Sequence, residues 1–309
     1  MKILVTGAGG FLGSHICQYF TRKGDQVWAV GRFFSAPAFR MQCPGIQEIV
    51  ELDLPSAQMS LVLSLVKPDL LVHCASSASV QLSMKDPLAD LRQSTGIYGE
   101  ILDAVRLKSP QTTVALLSSA SIYGQPKLLP TPETAQESPL SPYGHHKWMC
   151  EILSHEYASI FGIKTLNLRI FSAYGERLCK QVVYDILTKI HTPGEGPVEL
   201  YGTGDETRDF IYAQDVARAI DMIHQSGEVG TFNLAAGTPV RISEIAQILA
   251  ESSHPRRQIR FLGQSRPGDP DFWHADIRKI QALGFSTETS LPEGLSKVVR
   301  WFEHSLQDS

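Results

Sequence analysis

The 309-residue chain has no unbroken apolar run of about 18 residues, so it offers no membrane-spanning helix. It has no Cys-x-x-Cys spacing: its five cysteines, Cys17, Cys43, Cys74, Cys150 and Cys179, are scattered and odd in number. That pattern excludes a disulfide framework or a cysteine zinc site and fits free thiols in a reducing compartment. It has no excess of positive charge. With 28 Lys and Arg against 32 Asp and Glu, the net charge of −4 argues against a nucleic-acid partner. Low-complexity linkers and internal repeats are also missing. A strand-like run already begins at Lys2, leaving no room for a signal peptide, and a cytoplasmic location is expected. What is present is ordinary for an enzyme: 43% hydrophobic and 19% charged residues, enough for one large domain or two unequal lobes.

Strand-like runs at Lys2–Thr6, Gln26–Val30, Ile46–Glu51, Leu70–His73, Thr113–Leu117 and Thr165–Arg169 alternate with helical stretches at Ser14–Lys23, Gln58–Val66, Pro87–Lys108 and His145–Phe161. This alternation predicts an α/β protein with a doubly wound parallel sheet. Such sheets bind ligands at the carboxyl ends of their strands. The first strand breaks at Gly7-Ala8-Gly9-Gly10-Phe11-Leu12-Gly13 and a helix follows. Glycines at 7, 10 and 13 remove the Cβ atoms that would hold a pyrophosphate away from a helix N-terminus, so the segment reads as a dinucleotide fingerprint.

The other strand ends carry further candidates. The second ends in Val30-Gly31-Arg32, where a carboxylate would accept the adenosine ribose hydroxyl; glycine and a guanidinium there favour a 2′-phosphate, hence NADP(H), with NAD(H) as the alternative. Arg40 is a possible helper. Asp53, before Leu54, is placed to meet the adenine amino group, and Cys74-Ala75-Ser76 are small enough for close passage of the dinucleotide. The fifth strand ends in Ser118-Ser119-Ala120-Ser121-Ile122-Tyr123-Gly124, where a serine hydroxyl can donate to a sugar oxygen. Tyr143 and Lys147 stand one helical turn apart. A phenol titrates near pH ~10, and a neighbouring ammonium favours its ionised form, so the pair can exchange a proton with a hydroxyl. The adjacent His145 and His146 point about 100° apart on a helix and read as helix surface, not as a metal site.

Gly7-x-x-Gly10-x-x-Gly13, Asp53-Leu54, the Ser-Ser-Ala-Ser-Ile-Tyr-Gly turn and Tyr143-x-x-x-Lys147 together resemble the extended short-chain dehydrogenase/reductase family, within it the nucleotide-sugar epimerase/dehydratase group. The likeness continues through Leu168-Arg169-Ile170-Phe171-Ser172-Ala173-Tyr174-Gly175, Gly202-Thr203-Gly204-Asp205-Glu206-Thr207-Arg208-Asp209-Phe210 and Arg266-Pro267-Gly268-Asp269. It implies a Rossmann domain over residues 1–171, with a return segment near 208–235, and a smaller C-terminal α/β substrate lobe over 172–309. It implies Ser119, Tyr143 and Lys147 as the catalytic set. Gly7, Gly10, Phe11, Leu12, Gly13, Arg32, Asp53, Leu54, Cys74, Ala75, Ser76, Tyr143, Lys147 and Ile170 would hold the cofactor. Ser119, Ser121, Ser172, Tyr201, Arg208, Arg266 and Asp269 would hold a nucleotide-sugar. A homodimer through a bundle of the helices near 87–108 and 145–161 is also implied.

The departures narrow the reaction. Dehydratases of the group carry acidic residues after the active-site serine or threonine, where this chain has Ala120 and Ser121; decarboxylases carry a glutamate in that turn, and 3,5-epimerase-reductases a cysteine near Ser121. Ser172 stands in place of the usual asparagine. Reduction of a 4-keto sugar nucleotide and 4-epimerisation remain, and Arg32 favours the NADPH-dependent reductase. Loss of Tyr or Lys would mark a non-catalytic binding protein, and both are present. The loops at 78–98, 125–140 and 174–200 are where the identity of the sugar would be decided.

Overall fold

The computed structural model describes residues 1–33, 35–194, 196–263 and 272–307. The strands are β1 (Lys2–Thr6), β2 (Gln26–Gly31), β3 (Ile46–Glu51), β4 (Leu70–His73), β5 (Thr113–Ser119), β6 (Thr165–Ile170), β7 (Ser172–Tyr174), β8 (Val198–Leu200), β9 (Thr207–Tyr212), β10 (Gly230–Leu234), β11 (Pro239–Arg241) and β12 (Ile259–Phe261). The helices are α1 (Phe11–Arg22), α2 (Ala36–Gln42), α3 (Gln58–Val66), α4 (Val80–Lys85), α5 (Pro87–Leu91), α6 (Ile97–Lys108), α7 (Pro142–Phe161), α8 (Gln181–His191), α9 (Ala213–Ser226), α10 (Ile242–Ser252), α11 (Arg278–Gln281) and α12 (Leu291–Gln307). Seven strands form one parallel sheet in the order β10-β6-β5-β4-β1-β2-β3, the doubly wound architecture expected from the alternating pattern.

Both faces of this sheet are covered, which is why the inner strands β1 and β4 read as continuous apolar runs rather than alternating ones. Ile3 and Val5 pack with Ile16 and Phe20 of α1 on one face. Leu4, between them, packs with Leu63 of α3 and Leu102 of α6 on the other. A second apolar core joins Val183, Ile186 and Ile190 of α8 to Leu249 of α10 and Leu295 and Phe302 of α12. The short sheets β11-β9-β7 and β12-β8 lie in this C-terminal half of the chain.

Several boundaries differ from the sequence reading. α1 starts at Phe11, three residues early, because Gly10 is its N-cap and the glycine segment runs straight into the first turn. α7 also starts three residues early, at Pro142: the Ser141 hydroxyl accepts from the Gly144 N–H at 3.2 Å and proline fills the first position, a strong helix start. The helix near 87–108 is α5 and α6 joined by a π turn at Arg92–Gly96. His146, read as surface, is buried, with Nδ1 2.5 Å from Asp90 Oδ2 of α5. No helix of the described residues is long and apolar enough to cross a membrane.

Candidate active site

The carboxyl ends of β1, β4 and β5 and the first turns of α1 and α7 meet at one mouth. Gly7 sits there at φ +66°, and a Cβ on it would lie 2.6 Å from the Ala75 nitrogen. Only glycine fits, and the requirement ties the turn after β1 to the Cys74-Ala75 end of β4. A Cβ on Gly13 would lie 2.3 Å from the Gly7 carbonyl, so α1 can approach the strand only with glycine there. Gly10 offers α1 no capping side chain and its first turn holds no acidic residue. The N-terminus of α1 is thus left for an anion, and the residues present fit a dinucleotide pyrophosphate.

Around this cradle, Ser76 donates to the Ser77 carbonyl at 2.9 Å and lies 3.1 Å from the Ser94 hydroxyl in the π turn. Burial pushes the Cys74 thiol up to about 12, which keeps it an inert small side chain. At the adenosine end, Arg32 Nε lies 3.6 Å from Asp53 Oδ1, both side chains being more than three-quarters exposed. Arg40 donates to the Ile46 carbonyl at 3.2 Å. Leu54 packs against the core under β3.

The candidate reacting end is built by α7 against β5. Lys147, buried on α7, donates from Nζ to the Leu117 carbonyl at 2.8 Å and lies 5.9 Å from the centroid of the Tyr143 ring. Tyr143 is half-buried, and its backbone N–H donates to Ser83 Oγ at 3.1 Å. The absent side chain of Gly144 matters here: a Cβ would lie 2.8 Å from the Ser121 carbonyl, so glycine lets α7 close onto the active-site turn. β5 extends to Ser119, whose hydroxyl caps a 3-10 turn by accepting from the Ser121 N–H at 3.1 Å. The Ser121 hydroxyl is buried and unpartnered among the described residues, and Ala120 is fully buried. Ile170 ends β6 directly beside Ser119.

The substrate-side residues are more dispersed. Ser172 opens β7, beside Phe210 of β9. Arg208 on β9 donates to the Thr207 carbonyl at 2.9 Å and lies over the Trp273 ring at 5.6 Å. Tyr201 is half-exposed, with Lys189 Nζ 5.4 Å from its ring centroid. Arg266 and Asp269 lie outside the described residues. A groove of about 620 Å³ flanks α7 elsewhere, lined by Trp148, His155, Asn167 and Thr231, and it shares no residue with Ser119, Tyr143 or Lys147.

Sequence reasoning missed Ser118, Glu151 and Arg169. Glu151 repeats the four-residue interval of Tyr143 and Lys147, and that spacing was the available signal. Two buried histidines were also missed. Burial lowers His15 to about 4, helped by the Arg177 charge, and lowers His73 to about 3. Both rings stay neutral when folded, whereas the unfolded chain protonates them below about 6.5. Their contribution is therefore complete above that pH and is lost as the pH falls toward about 4 for His15 and about 3 for His73. The melting temperature should fall across that window, and His15→Gln should flatten part of the slope; a flat profile down to about pH 4 contradicts this assignment.

A seven-stranded parallel sheet with a glycine cradle after its first strand, and a Tyr/Lys pair on a helix packed against β5, define a dinucleotide-dependent enzyme of the extended short-chain dehydrogenase/reductase class. The chain belongs to the NAD dependent epimerase/dehydratase family, whose model matches residues 3–235. It is 28% identical to UDP-glucuronate 4-epimerase 4 of Arabidopsis thaliana, over 98% of this chain and 75% of that one. It is 30% identical to an uncharacterised UDP-glucose epimerase of Bacillus subtilis, over 99% of each. Among solved structures, UDP-glucuronic acid 4-epimerase from Bacillus cereus, in complex with UDP-glucuronic acid and NAD, superposes with a TM-score of 0.88 at 27% identity, covering 99% of this chain and 100% of that one. These relatives favour the epimerase alternative over the reductase reading, and the neighbour's cofactor is NAD rather than NADP.

Proposed function

We propose that the chain is a nucleotide-sugar 4-epimerase that acts on a UDP-activated sugar and keeps NAD bound through the cycle. The observation that carries the choice is the likeness over 99% of the chain, at a TM-score of 0.88, to a 4-epimerase that holds UDP-glucuronic acid and NAD; the Arg32–Asp53 pair supports it. Arg32 was the reason to expect NADPH and a reductase, but a carboxylate 3.6 Å away answers its charge and would repel a 2′-phosphate. The absence of a carboxylate in the turn at Ala120 and Ser121 supports a reaction without dehydration.

The cofactor, held by the Gly7–Gly13 cradle and the Cys74–Ser76 segment, supplies the hydride acceptor and donor. The side chains do the rest. Tyr143 takes the proton from the sugar 4-hydroxyl as the 4-keto sugar forms and returns it afterwards. Ser119 donates to that same oxygen and fixes its position. Lys147, anchored on the Leu117 carbonyl, holds positive charge beside the phenol and the nicotinamide ribose. Arg208, with Arg266, Asp269, Ser172 and Tyr201, would hold the nucleotide diphosphate and base. Residues 1–171, with the return near 208–235, would carry the cofactor, and 172–309 the sugar nucleotide. Exposed Leu107 on α6 and Met149, Ile152, Ile160 and Phe161 on α7 support a homodimer through these helices. The five free thiols support a cytoplasmic location.

Freshly purified protein should release oxidised NAD on denaturation, close to one per chain. A protein that purifies empty and consumes NADPH with a 4-keto sugar nucleotide would return the reading to the reductase.

A further inference from the structure

Three consecutive residues at the end of β5 each have a separate task. The Leu117 carbonyl accepts from Lys147 at 2.8 Å, the Ser118 hydroxyl donates to Glu151 Oε1 at 2.6 Å, and the Ser119 hydroxyl accepts from the Ser121 N–H at 3.1 Å. On α7 the corresponding residues are Tyr143, Lys147 and Glu151, each one turn from the next. Glu151 is 6% exposed and is gripped a second time by Arg169 of β6: Arg169 Nη2 is 2.7 Å from Oε2, and Nε is 3.1 Å from each carboxylate oxygen. Ser118 and Arg169 are direct register partners across β5 and β6, so the two groups that hold the carboxylate are themselves fixed by the sheet. Arg169 continues outward to Glu137 Oε1 at 2.7 Å and to the Glu133 carbonyl at 3.1 Å, which ties down the loop between β5 and α7.

We propose that Glu151 is a positioning residue for the reaction: clamped by Ser118 and Arg169, it sets the register of α7 on β5 and so the places of Lys147 and Tyr143 relative to Ser119. The assignment rests on the epimerase reading for its kinetics, but not for its geometry. A buried ion pair is seldom the most stabilising way to fill such a space, since well-packed apolar side chains do as well or better. What an apolar pair cannot do is fix a helix along its axis at one distance. A displacement of about 1 Å at the reacting groups is enough to cost about 10²-fold in rate.

Three variants separate positioning from stability: Ser118→Ala, which removes one bond; Glu151→Gln, which keeps the shape; and the double substitution Glu151→Leu with Arg169→Met, which replaces the pair by apolar volume. Melting temperature, kcat and KM are measured for each, with wild-type C4 inversion as reference. The expected result is a kcat lower by several-fold in Ser118→Ala and roughly 10- to 100-fold in the other two, with KM within about threefold. In the double variant this loss should persist even where the melting temperature is restored. If kcat follows the melting temperature in all three, Glu151 is structural and the proposal fails. If wild type shows no C4 inversion, the epimerase reading fails instead. Crystal structures of Ser118→Ala and Glu151→Gln then decide this proposal alone: Lys147 Nζ must have left the Leu117 carbonyl, and an unmoved contact overturns it.

Discussion

Replacing Tyr143 by phenylalanine is expected to lower kcat by about 10²- to 10⁴-fold, the usual contribution of a positioned proton-transfer group. Sugar-nucleotide affinity and the retained dinucleotide should change little. The reason is local: the Tyr143 bond to Ser83 is made by the backbone N–H, so losing the phenol hydroxyl leaves that bond and the ring packing in place. Folding stability should stay within about 0.5 kcal/mol of wild type, as for changes that create no cavity or unpaired buried group. Steady-state kinetics with thermal unfolding checks both halves. A variant that keeps more than about a third of wild-type kcat would remove Tyr143 from the chemistry.

The largest effect on stability is expected from Arg169→Ala. Burial works against the Arg169 charge, but the hydrogen bonds and charge of Glu151 more than offset it and hold the group protonated. Removing the guanidinium leaves the Glu151 carboxylate buried beside Ser118 with one partner gone, and also frees the Glu137 side chain and the Glu133 carbonyl. Breaking a buried pair from one side costs about 3–5 kcal/mol. Arg169→Lys should recover only part of this, because an ammonium cannot reproduce the forked grip on both carboxylate oxygens. Chemical denaturation of the three proteins measures the series. Equal stability of Arg169→Ala and wild type would show that the network carries no net energy.

Much of the N-terminal half was legible because its signals are local. β1 and β4 lie where the apolar runs placed them, since strands buried on both faces leave uninterrupted patterns, and the edge strand β3 lies where its β-branched residues placed it. The helix starts were read three residues late, at Ser14 and His145, because the caps at Gly10 and Ser141 were not weighed as starts. The C-terminal half was illegible for a different reason: β7, β8, β11 and β12 are three residues each, too short to leave a period. Tyr143 and Lys147, the proposed catalytic pair, could be read from a spacing of four. Their support could not, because Glu151 meets Ser118 and Arg169 across 33 and 18 residues through a strand register that only the folded sheet defines. His146 failed in the same way, its partner Asp90 lying 56 residues away. Arg32 shows the limit of a single residue: read alone it pointed to NADPH, whereas the solved 4-epimerase that superposes on this chain holds NAD.

The most direct test uses UDP-hexoses and UDP-hexuronates deuterated at C4, incubated with purified protein in ordinary water with no added dinucleotide. The account predicts that one of them is converted to a mixture of C4 epimers and that the inverted sugar keeps its deuterium, because hydride leaves and returns within one closed site. No inversion of any of them, while a 4-keto sugar nucleotide supplied with NADPH is reduced at one equivalent of cofactor per sugar, would contradict it.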